Sequence, residues 1–233
     1  MSTRKVLGKN VENLKDKTVL IVGVGGLGCT VANLLARVGV NLILVDYDVV
    51  SQSHLERQIL FDKDDLSKRK VIVAKKKLEQ FTNIRIIDDG ITKNNVSKII
   101  QKNIDLVIDC TDNAPTRLII NDYCKKNNIN WIYSAAVCNI GAIYFIDNKH
   151  NSPCYRCINQ EKSGETSCQI GVLNSLVVMV ASMSVNIAVN YLANGKIEDK
   201  LLRINMNDSS VMKIIVKKNL NCGTCNNKNG VKR

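Results

Sequence analysis

The chain has 233 residues, 45% of them hydrophobic, which is enough for one well-buried α/β domain and too apolar for a chain disordered beyond its ends. Lys and Arg number 33 against 21 Asp and Glu, and the resulting +12 attracts ATP, an acidic protein or a nucleic acid without choosing among them. The first residues, MSTRKVLGKNVENLKDK, stay polar where a leader would turn apolar, so a cytoplasmic location is expected, and nine cysteines, an odd number, argue for thiols and metal ligands over a disulfide framework.

Residues 1–17 read as a short arm with at most one helix, and Arg4 within it reads on its own as a solvated tail charge. The stretch TVLIVGVGGLG then gives a strand, a tight turn and the start of a helix. Its glycines at 23, 25, 26 and 28 let the backbone turn sharply and let a phosphate approach the amides at the helix N-terminus, where the helix dipole favours an anion. A second strand, NLILVD, ends on Asp46, whose carboxylate is placed to accept hydrogen bonds from a ribose hydroxyl.

After a polar, irregular stretch, DKDDLSKRKVIVAKKKLEQF reads as a basic helix beginning near Ser67, its lysines mostly a solvated face. Residues Ile84–Ile87 should form the third strand, 94–101 a helix and 105–109 a buried parallel strand. Directly after it comes CTDNAPTR, at the strand end where open α/β sheets hold their ligands. A helix over 117–126, the strand WIYSAAV and another strand over 141–147 follow, then a long polar loop at 150–171. Residues 171–195 carry no charge and are long enough to span a bilayer, but Ser182, Asn186, Asn190 and Asn194 recur every four residues as a polar stripe, so a buried or interface helix is expected. Two short strands, LLRINM and VMKIIV, precede a polar tail at 217–233. No linker interrupts the series. The expectation is a single domain over 1–233, a doubly wound, mainly parallel Rossmann-like sheet with helices on both faces and antiparallel strands at its C-terminal end.

Cys154 with Cys157 and Cys222 with Cys225 form two CxxC pairs. Each pair can chelate through two thiolates, and together they complete a tetrahedral S4 shell suited to a structural zinc that pins the tail to the 150–171 loop. Cys29, Cys110, Cys124 and Cys138 fall in helix, strand-end or strand positions and read as small buried hydrophobes. Cys168, in the polar loop, is a candidate nucleophile.

Taken together, GVGGLG, DYDVVSQSHLERQ, Lys70, DLVIDCTDNAPTR and the two CxxC pairs resemble the adenylating enzymes of the ubiquitin-activating superfamily, in their short prokaryotic branch, which activates the sulfur carriers of molybdopterin and thiamine biosynthesis. The resemblance runs from about Arg4 to Cys225. It implies ATP-dependent adenylation of the C-terminal glycine of a small β-grasp protein ending in Gly-Gly, with magnesium, pyrophosphate release and a homodimer. By motif, Gly25 and Gly26 would approach the phosphates and Asp46 the ribose. Ser53, His54, Arg57 and Gln58 would lie in the nucleotide-contacting segment, Lys70 would bind phosphate, and Asp112 with Asn113 would sit near magnesium and the α-phosphate. Arg4 aligns with an arginine that family members reach into the partner's site. Cys168 aligns with the cysteine that the thiamine branch links covalently to its carrier and that has a dispensable neighbour in the molybdopterin branch, so a covalent role and a spectator thiol both stay open.

Carboxylate attack on an α-phosphate brings two anions together, and Arg, Lys and a metal held by Asp112 are the groups that neutralise the growing charge. The chain departs from the family where His54 replaces the usual Asn and where SKRK replaces GxPK before the basic helix. A sulfurtransferase, if used, would be a separate protein. An NAD-dependent oxidoreductase would explain the glycine turn and Asp46 but leave Arg57, Lys70 and the cysteine pairs without a task. A basic nucleic-acid binder would need aromatic residues among its cations, and aromatics are only 4%.

Overall fold

The computed structural model describes residues 2–158 and 171–225. One continuous eight-stranded sheet forms its frame: β1 (Thr18–Val22), β2 (Asn41–Val45), β3 (Ile84–Ile87), β4 (Leu106–Asp109), β5 (Trp131–Val137), β6 (Ile140–Ile146), β7 (Leu201–Asn205) and β8 (Ser210–Ile214), in the spatial order 3-2-1-4-5-6-7-8. Strands 3, 2, 1, 4 and 5 run parallel, while β6, β7 and β8 join antiparallel. The chain winds outward from β1 to β3 and returns to β4, so the carboxyl ends of β1 and β4 flank the topological switch point, where such sheets open a crevice.

The helices are α1 (Ser2–Leu7), α2 (Gly26–Val38), α3 (Lys70–Leu78), α4 (Val96–Ile99), α5 (Ala114–Lys126), α6 (Tyr155–Ile158) and α7 (Asn174–Asn194). Strand alternation sends Val19, Ile21, Leu42, Leu44 and Ile108 into a core shared with α2, α3 and α7. The intervening Leu20, Val22, Ile43, Val45 and Val107 enter a second core with α4, α5 and α6. Both faces are therefore covered, as the apolar runs of the parallel strands require. Helix α7 is apolar and long enough to cross a membrane by composition, but it lies against α2, β5 and β6, with 61% of its most apolar window buried in the protein. Ser182 and Asn186 of the expected polar stripe face solvent.

Several expected boundaries move, each for a local reason. Helix α3 starts at Lys70 because Ser67 adopts the left-handed region (φ 64°) and the amides of Ser67 and Lys70 bond back to Val50 and Asp48. Helix α4 is a single turn, with Asn95 just before it: its side-chain oxygen accepts from the Thr92 amide. Helix α5 begins at Ala114, where the Asn113 side chain caps the Thr116 amide at 2.9 Å and Pro115 fits the first turn. Cys138 was expected among the buried thiols. It is instead exposed at the β5–β6 turn with φ 51°, because a two-residue reversal between Val137 and Ile140 leaves its side chain no core to enter.

Candidate functional site

The glycine turn after β1 is shaped by contact as well as by conformation. Gly23 has φ +89°, and a β-carbon there would lie 2.9 Å from the Cys110 carbonyl oxygen. A β-carbon at Gly28 would overlap the Gly23 carbonyl at 1.9 Å, so only glycine lets α2 start this close to the strand. The α2 N-terminus consequently opens into a cavity of about 370 Å³ at the carboxyl ends of β1, β2, β4 and β5, with no side chain among the described residues capping it. Backbone N–H groups and dipole there favour an anion.

Gly25, Gly26, Asp46, His54, Arg57, Gln58, Lys70, Asp112 and Asn113 all line this cavity. Ser53 does not. Its hydroxyl pairs with Ser51 (3.1 Å), and its carbonyl accepts from Arg57 (2.9 Å). Arg57 also meets Glu56 at 3.1 Å. The Asp46 carboxylate is already engaged, accepting from the amides of Val24 (2.6 Å) and Asp48 (2.7 Å), so it ties the glycine turn to the end of β2 and has its remaining lone pairs for a ligand. Gln58 is buried and its side-chain oxygen has no hydrogen-bond partner among the described residues. A buried amide oxygen without a donor suits a site that a polar ligand completes.

His54 lies in the single helical turn 52–54, and its Nδ1 accepts from the Ser51 amide at 3.2 Å. That is the acceptor role an Asn oxygen would fill, and it leaves Nε2–H as the donor of a neutral ring. Burial, then the charges of Lys70 and Arg57, hold its pKa below the usual 6.5. His54 thus holds the local turn through its Nδ1. Asn113 uses its side-chain oxygen as the α5 cap, leaving its NH2 group for a ligand.

Two wall residues, and a third beneath them, escaped the sequence reading. Asp48 receives the buried Lys70 ammonium at 2.9 Å and fixes it in the cavity wall. Arg117 and Asp109 form a buried ion pair under the CTDN loop: Arg117 Nε donates to Asp109 at 3.0 Å, and its terminal NH2 donates to the Thr111 carbonyl at 2.5 Å. The amide and hydroxyl of Thr111 donate to the other Asp109 oxygen at 3.0 and 2.7 Å, so three polar atoms of one loop residue are clamped next to Asp112. Burial works against the Arg117 charge, but Asp109 more than offsets it and holds the guanidinium pKa above its usual value. The signal available in sequence was an Asp and an Arg flanking CTDNAPT, which no periodicity marks as a pair.

Across the sheet, the sulfurs of Cys154, Cys157, Cys222 and Cys225 all lie within 4.8 Å of one another, with 154 to 222 and 157 to 225 each at 3.6 Å. Four sulfurs about 2.3 Å from one zinc stand about 3.8 Å apart, so the donor set and its size fit that ion. The amides of Asn219 and Cys225 donate to the sulfurs of Cys157 and Cys222, each at 3.5 Å, as thiolate ligands would require. Burial pushes the Cys29 thiol up to about 12 and raises Cys110 and Cys124 as well, which leaves these three inert. The Arg4 side chain and the whole of Cys168 lie outside the described residues.

Fold and cavity together define a doubly wound α/β protein with a glycine-rimmed, cation-bearing cleft at its switch point, the build of a nucleotide-binding domain. More narrowly, the chain belongs to the ThiF family, whose model matches residues 2–224. It is 36% identical over 179 residues to the adenylyltransferase and sulfurtransferase MOCS3 of Caenorhabditis briggsae, an alignment covering 74% of this chain and 44% of that protein. With the molybdopterin-synthase adenylyltransferase of Salmonella typhimurium it shares 34% identity over 194 residues, 78% of this chain and 76% of the relative. The crystal structure of E. coli MccB has the same fold, with a TM-score of 0.82 over 95% of this chain and 70% of that one, at 22% identity.

Proposed function

We propose that this protein uses ATP to adenylate the C-terminal glycine of a small sulfur-carrier protein, releasing pyrophosphate. The observation that carries the reading is the convergence on one cleft of the α2 N-terminus, Arg57, Lys70 and Asp112, contributed by loops after β1, β2 and β4. Those groups match what the reaction needs. The free amides at Gly25 and Gly26 take phosphate oxygens, and Asp46 takes a ribose hydroxyl. Arg57 and Lys70 offset the charge that builds as the carrier's carboxylate approaches the α-phosphorus. Asp112 would hold magnesium, which supplies charge neutralisation on the phosphates when bound. His54 Nε2–H and the Asn113 NH2 group remain as neutral donors to the nucleotide.

The substrate that fits the family resemblance is a β-grasp protein whose flexible tail ends in Gly-Gly, a tail without side chains at its tip being the segment best able to enter the cleft. The four cysteines hold one structural zinc. A homodimer in which Arg4 reaches the neighbouring cleft, and a separate sulfurtransferase acting on the adenylate, complete the scheme, with Cys168 the candidate for any covalent carrier intermediate. The oxidoreductase and nucleic-acid readings are not favoured, because relatives covering three quarters of the chain are named adenylyltransferases. The test is ATP–pyrophosphate exchange with a panel of small Gly-Gly carriers. Exchange that depends on one carrier and on its last glycine supports the proposal, and exchange without a carrier, or none at all, counts against it.

A further inference from the structure

One wall of the cavity comes from two loops that the sheet itself does not hold together. Tyr47 and Asp48 follow β2, and Asp89, Gly90, Ile91 and Thr92 follow β3. The β2–β3 ladder ends where the Asp46 amide donates to the Ile87 carbonyl at 3.3 Å, and beyond it no backbone hydrogen bond joins 47–50 to 88–92 among the described residues. The Arg69 side chain spans the gap. Its Nε donates to the Asp88 carboxylate at 2.7 Å and its Nη1 to the Tyr47 carbonyl at 2.6 Å. The arginine starts from a fixed anchor, because the amides of Ser67, Val50 and Lys70 donate to the carbonyls of Val50, Lys68 and Asp48 at 2.9, 2.9 and 3.0 Å and sew its segment to the β2 loop. The loop it reaches is set internally: the Asn95 side chain accepts from the Thr92 amide at 2.7 Å and donates to the Gly90 carbonyl at 2.8 Å and the Asp89 carboxylate at 3.1 Å. The guanidinium therefore joins two preformed pieces, and its planar fork serves two acceptors at once. The fit between them is close, since a β-carbon on Gly90 would lie 3.2 Å from the Tyr47 ring.

We infer that Arg69 is a positioning residue for the nucleoside half of ATP: by tying Tyr47 to Asp88 it sets the spacing of the loops that hold the ribose and the base. This rests on reading the cleft as the ATP site, with the phosphates at the α2 N-terminus and the ribose at Asp46. Neither Arg69 nor Asp88 lines the cavity, so the pair acts through the loops. No bond of the nucleoside changes during adenylation, so contacts to it are equal in the ground and transition states, and loosening them raises KM without lowering kcat.

The test is carrier-dependent ATP–pyrophosphate exchange measured across ATP concentrations, alongside thermal melting. Arg69→Met keeps the aliphatic stem and removes the fork. Its KM for ATP should rise about fivefold, the upper end for a partly exposed ion pair, while kcat stays within about twofold and the melting point close to wild type. Asp88→Ala should raise KM as well, and in the Arg69→Met background it should cost nothing more, a non-additivity that two unrelated surface charges would not produce. An unchanged KM in Arg69→Met, a loss confined to kcat, additive losses in the double variant, or a large fall in melting point each overturns the inference. Wild-type protein without carrier-dependent exchange overturns it together with the proposed function, whereas normal exchange with an unchanged KM in Arg69→Met removes the bracing role alone.

Discussion

The nucleotide cleft and the four-cysteine cluster are both built from loops, but they treat their polar atoms differently. In the cluster the four sulfurs face one another and two are met by backbone amides, which leaves nothing for a substrate. In the cleft the deep pair, Asp109 and Arg117, is fully engaged with the loop above it, while the rim keeps capacity in the amides of the α2 N-terminus, the Gln58 oxygen and the Asn113 NH2 group. A closed shell marks a staple. A saturated floor beneath an unsaturated rim marks a site that awaits a ligand.

The contrast is broken most severely from below. Asp109→Asn should cost about 3–5 kcal/mol of stability by leaving a buried guanidinium without its counter-charge, seen as a large drop in denaturation midpoint. If the floor tolerates that change, it is not the support described here. At the rim the pattern should invert: Lys70→Ala or Arg57→Ala should lower carrier-dependent pyrophosphate exchange about 10²-fold or more, the scale of losing one donor to a developing charge. Both variants should melt close to wild type, and unaltered exchange in them would detach these cations from the chemistry.

Cys222→Ser probes the staple. Purified wild-type protein should carry close to one zinc per chain, and the variant should lose it, with amide exchange rising in residues 217–225 and around Tyr155 while β1, β4 and β5 stay protected. Exchange activity should fall far less than in the Lys70 and Arg57 variants, because none of the four cysteines lines the cleft. Metal-free wild-type protein with a fully protected tail would contradict the structural role.

How these parts were legible in sequence follows from how each is encoded. The parallel strands β1, β2 and β3 announce themselves as short apolar runs bounded by turn residues, and the cysteine pairs by spacing alone. Helix starts were harder to read: the beginning of α3 depends on the left-handed turn at Ser67, and that of α5 on the Asn113 cap and Pro115, a signature present but not used. Motif placement gathered nine residues that do share one cavity, with Ser53 outside its lining. Asp48, Asp109 and Arg117 were invisible because their partners are set by the meeting of separate elements, which no local pattern records. Cys138 was misread for a related reason, since a strand period says nothing about where the hairpin turns.

The mildest expected effect is that of replacing His54 by asparagine. Its folded-state pKa is lowered, first by burial and then by Lys70 and Arg57, so the fold binds the neutral ring and the unfolded chain takes up the proton first as pH falls. The contribution of His54 to stability is therefore complete above about pH 6.5 and is lost on acidification towards the lower folded value. His54→Asn should leave activity near neutral pH within a few fold and flatten the acid side of both the stability and ATP-affinity profiles. A variant with the wild-type acid limb would move that titration to another group.

The claim at the centre is that the cleft brings the carrier's terminal carboxylate to the α-phosphorus of ATP. Intact-mass spectrometry of a Gly-Gly carrier, quenched after incubation with enzyme, magnesium and ATP, reads that event directly. The expected result is a carrier bearing one AMP at its C-terminal glycine, absent with Lys70→Ala enzyme and absent when the last glycine is removed. A carrier that stays unmodified while ATP is turned over, or that gains AMP at another position, would contradict the account.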